Sequence, residues 1–165
     1  MGSAQKSRPD VSPVQVARVQ VVLYNEVKME RFSIIDHEAD ICVEIRGESL
    51  EQLYSNAASA LFSIMIEVED TSAEECVKKK VEIKRNGELL ISFLNELLFL
   101  WETEGLVLYD LSVELTDDAL KATLWGSKFN PEIHTVKKVI KAATYHNFEI
   151  KRDKKGYIAR VVFDV

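Results

Sequence analysis

The chain has 165 residues, 47% hydrophobic and 29% charged, with only 6 Gly and 3 Pro. That suits one ordinary domain with its own core and excludes collagen-like, low-complexity and wholly disordered classes. Lys plus Arg is 21 against 27 Asp plus Glu, a formal net charge of -6, which disfavours general nucleic-acid binding, where phosphate neutralisation dominates affinity.

Residues 1–28 carry Lys6, Arg8, Arg18 and Lys28 against Asp10 and Glu26, with Pro9 and Pro13 in the first half and a weakly strand-like stretch from Val14 to Tyr24. This segment reads as a flexible or dispensable extension, and residues 29–165 as one domain. It contains no continuous apolar stretch of signal-peptide type. Cys42 and Cys76 form no CxxC, so the expectation is a cytoplasmic protein with two reduced, buried thiols.

Arg31 to Ile35 predicts a short strand, broken by the polar cluster Asp36-His37-Glu38-Ala39-Asp40. Alternation then places Ile41, Val43 and Ile45 on one face and Cys42, Glu44 and Arg46 on the other, a half-buried strand ending at Gly47. Ser49 with Gln52 forms a capping box for a helix whose apolar positions include Leu50, Leu53, Ala57, Leu61 and Met65. Glu67 to Glu75 reads as an acidic turn, and Cys76 to Arg85 as a strand. A second helix follows from Leu89, its apolar run Leu97 to Trp101 far too short to span a bilayer, with Gly105 as its stop.

Leu106 to Thr116 and Leu120 to Trp125 predict a hairpin turning at Asp117-Asp118. The next stretch is ambiguous: Val136, Val139, Ile140 and Ala143 fit a helix, while 142–146 could equally enter a sheet. Phe148 to Arg152 and Tyr157 to Val165 form a closing hairpin around Asp153 to Gly156. Two helices with six or seven strands joined by hairpins give an α+β class, its sheets largely antiparallel and the helices packed on one face.

Phosphate loops, GxSxG, HExxH and EF-hand loops are absent, and His37, His134 and His146 share no zinc spacing. Two features carry chemistry. Asp36, His37, Glu38 and Asp40 concentrate three carboxylates and an imidazole, and hard oxygen donors at this density suit Ca²⁺, Mg²⁺ or Mn²⁺; the alternative is a solvated loop. At the other end, Asp164 follows the apolar strand Val161-Val162-Phe163, where an unpaired carboxylate is costly. Together with Val165 it could supply oxygen ligands, or the strand could simply fray into water. His134, Thr144, Tyr145 and His146 are taken as hydrogen-bonded structural residues, and Trp101 and Trp125 as core or core-edge. Lys137, Lys138, Lys141, Lys151, Arg152, Lys154, Lys155 and Arg160, against Glu149 and Asp153, form a basic stretch read as a solvated surface or, less simply, an RNA contact.

Five blocks in register resemble the archease family. DHEADI (36–41) resembles its N-terminal His-Thr-Ala-Asp-Ile signature. SLEQLYSNAASALFSIM (49–65) and LLISFLNELLFLWETEGL (89–106) are similar to its two helices, KFNPEIHTVKKVIKAATYH (128–146) to the run ending Lys-Ala-x-Thr-Tyr-His, and GYIARVVFDV (156–165) to its closing strand. The resemblance implies a cytoplasmic protein cofactor, not itself an enzyme, of the GTP-dependent tRNA-splicing RNA ligase. Such a cofactor promotes guanylylation of the ligase's catalytic histidine, permits multiple turnover and broadens nucleotide use. It also implies a divalent cation, Ca²⁺ or else Mg²⁺ or Mn²⁺, bound by Asp40, Asp164 and a main-chain oxygen of Val165. Glu38 departs from the signature, placing a charge where the family has Thr. Two rival readings are a stand-alone RNA-binding or chaperone-like module using the 137–160 stretch, and a metal-dependent phosphohydrolase built on Asp36, His37 and Asp40.

Overall fold

The computed structural model describes residues 17–20, 31–36, 40–69 and 76–165. The elements run β1 (Ala17–Gln20), β2 (Phe32–Asp36), β3 (Asp40–Gly47), α1 (Leu50–Met65), β4 (Ile66–Val68), β5 (Val77–Lys84), α2 (Leu89–Glu104), β6 (Leu106–Leu115), β7 (Ala119–Lys128), β8 (His134–Val136), β9 (Ala142–Asp153) and β10 (Gly156–Asp164). They form two four-stranded sheets, β1-β6-β7-β5 and β2-β3-β10-β9, and a small β4-β8 pair, all antiparallel. Both helices touch strands of both sheets, α1 lying on β3 and β6, and α2 on β9 and β5. The α+β reading holds. Strand β1 falls within the segment read as an extension, and pairs with β6 through Ala17↔Val113 to Gln20↔Asp110.

Helix α1 begins where the capping residues require. Ser49 Oγ accepts from Gln52 N at 3.1 Å, while Gln52 Oε1 accepts from Glu48 N at 2.6 Å, one residue before the cap. The helix is buried on nearly every side from Leu53 to Met65, which explains its small residues. Ala57, Ala58 and Ala60 are fully buried, and the hydroxyls of Ser59 and Ser63 donate back to the carbonyls of Ser55 and Ser59. Asn56 Nδ2 donates to the Arg46 carbonyl at 2.7 Å, fastening α1 to β3. Helix α2 stops at Gly105 in the left-handed conformation (φ 64°, ψ 30°), its N–H returning to Leu100 and Trp101.

Tyr54 lies on α1 against Phe93 of α2, ring centroids 6.4 Å apart. Burial pushes its phenol up to about 12, with Glu88 adding to the rise and Arg85 and a main-chain hydrogen bond at Leu90 opposing it. A raised phenol means the folded state holds the proton more tightly, so this contribution is complete below pH 10 and is lost as pH climbs toward 12. Urea unfolding of wild type and Tyr54→Phe should therefore diverge across that window, the variant gaining about 2 kcal/mol relative to wild type by pH 12. A constant difference between the two would contradict this account of Tyr54.

Three expectations change, and the open choice at 136–146 is resolved in favour of the sheet. Cys42 is buried but Cys76 is exposed, because Cys76 precedes β5 and is not part of its inward face. Ile66 to Val68, two of its three residues read as turn, pairs with His134 to Val136; strands this short carry no readable alternation. No helix forms at 136–143. Val136 ends β8, Ile140 is buried in an irregular connection, and Ala143 belongs to a twelve-residue strand. That strand begins six residues before the expected Phe148. Its start is held by Asn95, whose Oδ1 accepts from Ala143 N at 2.8 Å and whose Nδ2 donates to Ala143 O at 3.0 Å. One side chain of α2 thus stands in for a neighbouring strand at the edge of the sheet.

Candidate functional site

The carboxylates singled out at opposite ends of the sequence meet. Asp40 opens β3 and Asp164 closes β10, and the two are direct cross-strand partners in the register Asp164↔Asp40, Val162↔Cys42, Arg160↔Glu44. Alternation puts Asp40, Cys42 and Glu44 on the same face as Asp164, Val162 and Arg160, away from the helices, whereas Ile41, Val43 and Phe163 enter the core. Directly opposed residues have Cβ atoms about 4.5–5.5 Å apart, and like charges there repel. The Asp164 main-chain carbonyl is already taken by Lys141 N at 2.8 Å. Val165 is half-buried and packs against the core, which steadies its main chain beside Asp164.

As donors for a cation, two carboxylates and a main-chain oxygen form an all-oxygen set of the kind hard divalent ions take. The pair repels unless positive charge is supplied, so the residues present fit such an ion. Among the described residues no group of three His, Cys, Asp or Glu gathers to hold a metal. Positions 37–39, with His37 and Glu38, lie outside the described residues, as does the side chain of Asp36.

A pocket adjoins Asp40 on this face, lined also by Cys42, His146, Asn147, Arg160 and Val162. Burial pushes the Cys42 thiol up, with the Arg160 guanidinium opposing and Glu44 reinforcing the rise. Sequence reasoning treated His146 as structural. Its place depends on an irregularity: β9 pairs with β10 at Thr144↔Val162 and again at Glu149↔Arg160, leaving 145–148 outside the ladder. Asn147 there has φ 51°, the one positive value at a non-glycine position among the described residues. An Asn inside a strand-like run was the available signal.

Of the other polar residues, His134 and Thr144 have structural partners as expected, whereas Tyr145 is exposed. Buried His134 receives Asn130 N at Nδ1 (2.9 Å), so Nε2 carries the proton toward Tyr109 Oη at 2.7 Å, itself 2.7 Å from Ser127 Oγ. Thr144 Oγ1 donates to Val162 O at 3.0 Å. Trp101 packs edge-on against Phe129 at 5.4 Å, and Trp125 lies under the Lys78 ammonium at 5.6 Å. The basic stretch does not share one face. Lys151 pairs with Glu149 at 2.9 Å, Arg152 lies over Tyr157, and Arg160 approaches Glu44 at 3.7 Å.

Comparison with known proteins bears on the whole domain. Residues 32–165 match the model of the Archease protein family (MTH1598/TM1083). The chain belongs to the archease family. Protein archease of Sulfolobus acidocaldarius is 40% identical over 147 residues, covering 83% of this chain and 100% of the relative. The solution structure of Methanobacterium thermoautotrophicum protein 1598 superposes with a TM-score of 0.65 at 31% identity, covering 83% and 100% of the two chains. The Thermotoga maritima crystal structure, described as an archease and possible chaperone, gives 0.56 at 26% identity over 79% and 94%. The archease fold therefore accounts for both sheets' main strands and both helices. No described helix is long and apolar enough to cross a membrane.

Proposed function

We propose that this chain is a protein activator of the GTP-dependent tRNA-splicing RNA ligase, acting in the cytoplasm and not itself an enzyme. In this reading it promotes guanylylation of the ligase's catalytic histidine, sustains multiple turnover and broadens nucleotide use. Asp40, Asp164 and a main-chain oxygen of Val165 hold a divalent cation, Ca²⁺ or else Mg²⁺ or Mn²⁺. Family membership supports the partner. The observation that carries the site is the cross-strand pairing of Asp40 with Asp164, which joins the two acidic features of the sequence into one anionic spot on the sheet face turned away from the helices.

A divalent cation held there supplies positive charge that can neutralise phosphate oxygens during guanylyl transfer. The chain's own part is placement. Strands β3 and β10 are central in their sheet and backed by a filled core, so Asp40 and Asp164 are presented on a rigid element with little freedom to lose on docking.

The test is ligation of a cleaved tRNA by the cognate ligase in substrate excess, with and without this protein. Stimulation should fall at least tenfold with Asp40→Ala and with Asp164→Ala, both variants remaining folded by circular dichroism. Full stimulation by both variants would discard the site and keep the partner. A competent ligase that ignores the wild-type protein would refute the activator reading itself. Salt-sensitive RNA binding surviving both substitutions would then favour an RNA-binding module.

A further inference from the structure

A separate pocket of about 580 Å³ lies at the other end of the same sheet, within the usual span for small-ligand sites. Along β3 and β10 the pair Tyr157↔Gly47 stands seven residues from Asp164↔Asp40, about 23 Å at the rise of a strand. The seam beneath this pocket is rigid, because pieces of backbone meet there with no room for a side chain. A Cβ added at Gly47 would fall on the Leu53 nitrogen of α1, and one added at Gly156 on the Gly47 carbonyl oxygen and 2.8 Å from Glu48 Cα. Gly156 also has φ 135°, where glycine alone is at ease. The tip of the β9–β10 hairpin is thereby pressed against the junction of β3 with α1, and the pocket opens along that seam.

Two amide side chains of α1 line it, Gln52 and Asn56, one turn apart and so on the same helix face. Gln52 uses its oxygen on Glu48 N, which leaves Nε2 as a donor. Asn56 is the reverse. Its Nδ2 donates to the Arg46 carbonyl, while its Oδ1 accepts no hydrogen bond among the described residues, although Asn56 is only 4% exposed. Ser55 Oγ is the one fully enclosed side-chain polar atom without a partner among the described residues. The free Oδ1 of Asn56 therefore reaches the pocket that Asn56 lines. An acceptor this deeply placed is costly to leave open unless something donates to it. One donor and one acceptor on the same helix face together complement the C=O and N–H of a polypeptide main chain.

Charge narrows the ligand further. Arg31, Arg46 and Lys155 stand around the pocket against Glu48 and Asp153. Arg46 is taken by Glu44 at 2.7 Å, and Asp153 Oδ1 accepts from Lys155 N at 2.7 Å. The side chains of Arg31 and Lys155 pair with no carboxylate among the described residues, which leaves two uncommitted cations against Glu48 alone. An Arg fork and a Lys ammonium suit a carboxylate. The apolar part of the lining is Tyr157 and Ile158, both half-buried, with the Arg152 guanidinium 5.6 Å from the centre of the Tyr157 ring. A single negative charge, a neighbouring N–H and C=O, and an apolar side chain to cover these two occur together at the end of a polypeptide.

We propose that this pocket captures the carboxyl terminus of a partner polypeptide. The terminal carboxylate sits on Arg31 and Lys155, the last peptide N–H donates to Asn56 Oδ1, a main-chain carbonyl accepts from Gln52 Nε2, and the last side chain covers Tyr157 and Ile158. The site does not depend on the cation reading above. It lies at the opposite end of β3 and β10 from Asp40 and Asp164, so a partner tail is held here while the acidic spot stays free.

The test is titration of the nitrogen-15-labelled full chain with an acetylated tetrapeptide, Gly-Ala-Ala-Val, bearing a free terminal carboxylate, followed by proton–nitrogen correlation spectra. The same peptide amidated at its end, and a doubly blocked peptide with a mid-chain Glu, are titrated beside it. The free-carboxylate peptide should shift the main-chain signals of Gly47, Glu48 and Tyr157 and the side-chain amides of Gln52 and Asn56. Affinity should fall at least tenfold on amidation, and again in the Arg31→Gln, Lys155→Gln double variant, whose two exposed positions leave the fold intact. Gln52→Glu keeps the oxygen that accepts from Glu48 N but loses the donor and adds a negative charge. It should weaken binding with the melting temperature unchanged or raised, which a purely structural Gln52 would not do. No shift at millimolar peptide, or shifts confined to the Asp40 end of the sheet, overturns the proposal. Equal binding of the amidated peptide overturns carboxylate recognition, and equal binding of the mid-chain Glu peptide overturns the assignment to a chain terminus.

Discussion

Gly126→Ala is expected to damage the fold severely, costing about 3 kcal/mol or more. Gly126 lies on β7 opposite Leu108, beside the β-bulge between Leu108 and Asp110. An added Cβ would land on the Val107 carbonyl oxygen and 2.9 Å from its carbon. Those atoms are backbone in the middle of a four-stranded sheet, and Val107 is only 1% exposed, so nothing flexible can yield. The loss is a large share of the roughly 5–15 kcal/mol that holds a domain together. A urea midpoint within experimental error of wild type would show that the strands can separate here, and would refute the close approach.

The second large effect separates the core from the site by comparing neighbouring residues. Phe163 is fully buried, one residue before Asp164 and facing the opposite way. Phe163→Ala should cost about 3–5 kcal/mol through lost burial and the cavity left behind. Asp164→Asn should behave in the reverse sense: without divalent cation it relieves a like-charge cross-strand pair and stabilises by a few tenths to about 1 kcal/mol. On adding the cation, wild type should gain melting temperature and Asp164→Asn should gain little, because only a ligand bound by the folded state shifts unfolding. Equal responses of the two proteins would mean that the ion, if bound, sits elsewhere.

Local chemistry made much of this fold legible in the sequence. Ser49 and Gln52 announced α1, Gly105 announced the end of α2, and Asp117-Asp118 announced the turn between β6 and β7, because each feature acts within a few residues. What escaped depends on distant partners. Val68 looked like part of an acidic turn because its strand exists only against His134. The stretch 136–143 could not be resolved because Ala143 takes its hydrogen bonds from Asn95, a residue of the other helix. The site divides along the same line. Two acidic features could each be noticed, but their register belongs to the sheet, and the family resemblance was what joined them. The place of His146 at the pocket was missed because it comes from a bulge, and a bulge is a mismatch between two strands that neither strand shows alone.

The placement of α1 between the two sheets has a consequence for how the molecule is made. One wall of its enclosure, β3, precedes the helix immediately, while β6 and β10 are formed from chain that comes much later. A nascent or refolding chain therefore carries a complete, apolar helix with an unfinished roof, and the middle of the second sheet cannot close until β10 pairs with β3. Such non-local pairing is slow relative to helix formation. The delay leaves α1 sticky for as long as the last strand is missing, so the interval before β10 docks is when this protein is most exposed to aggregation, proteolysis and capture by holding chaperones.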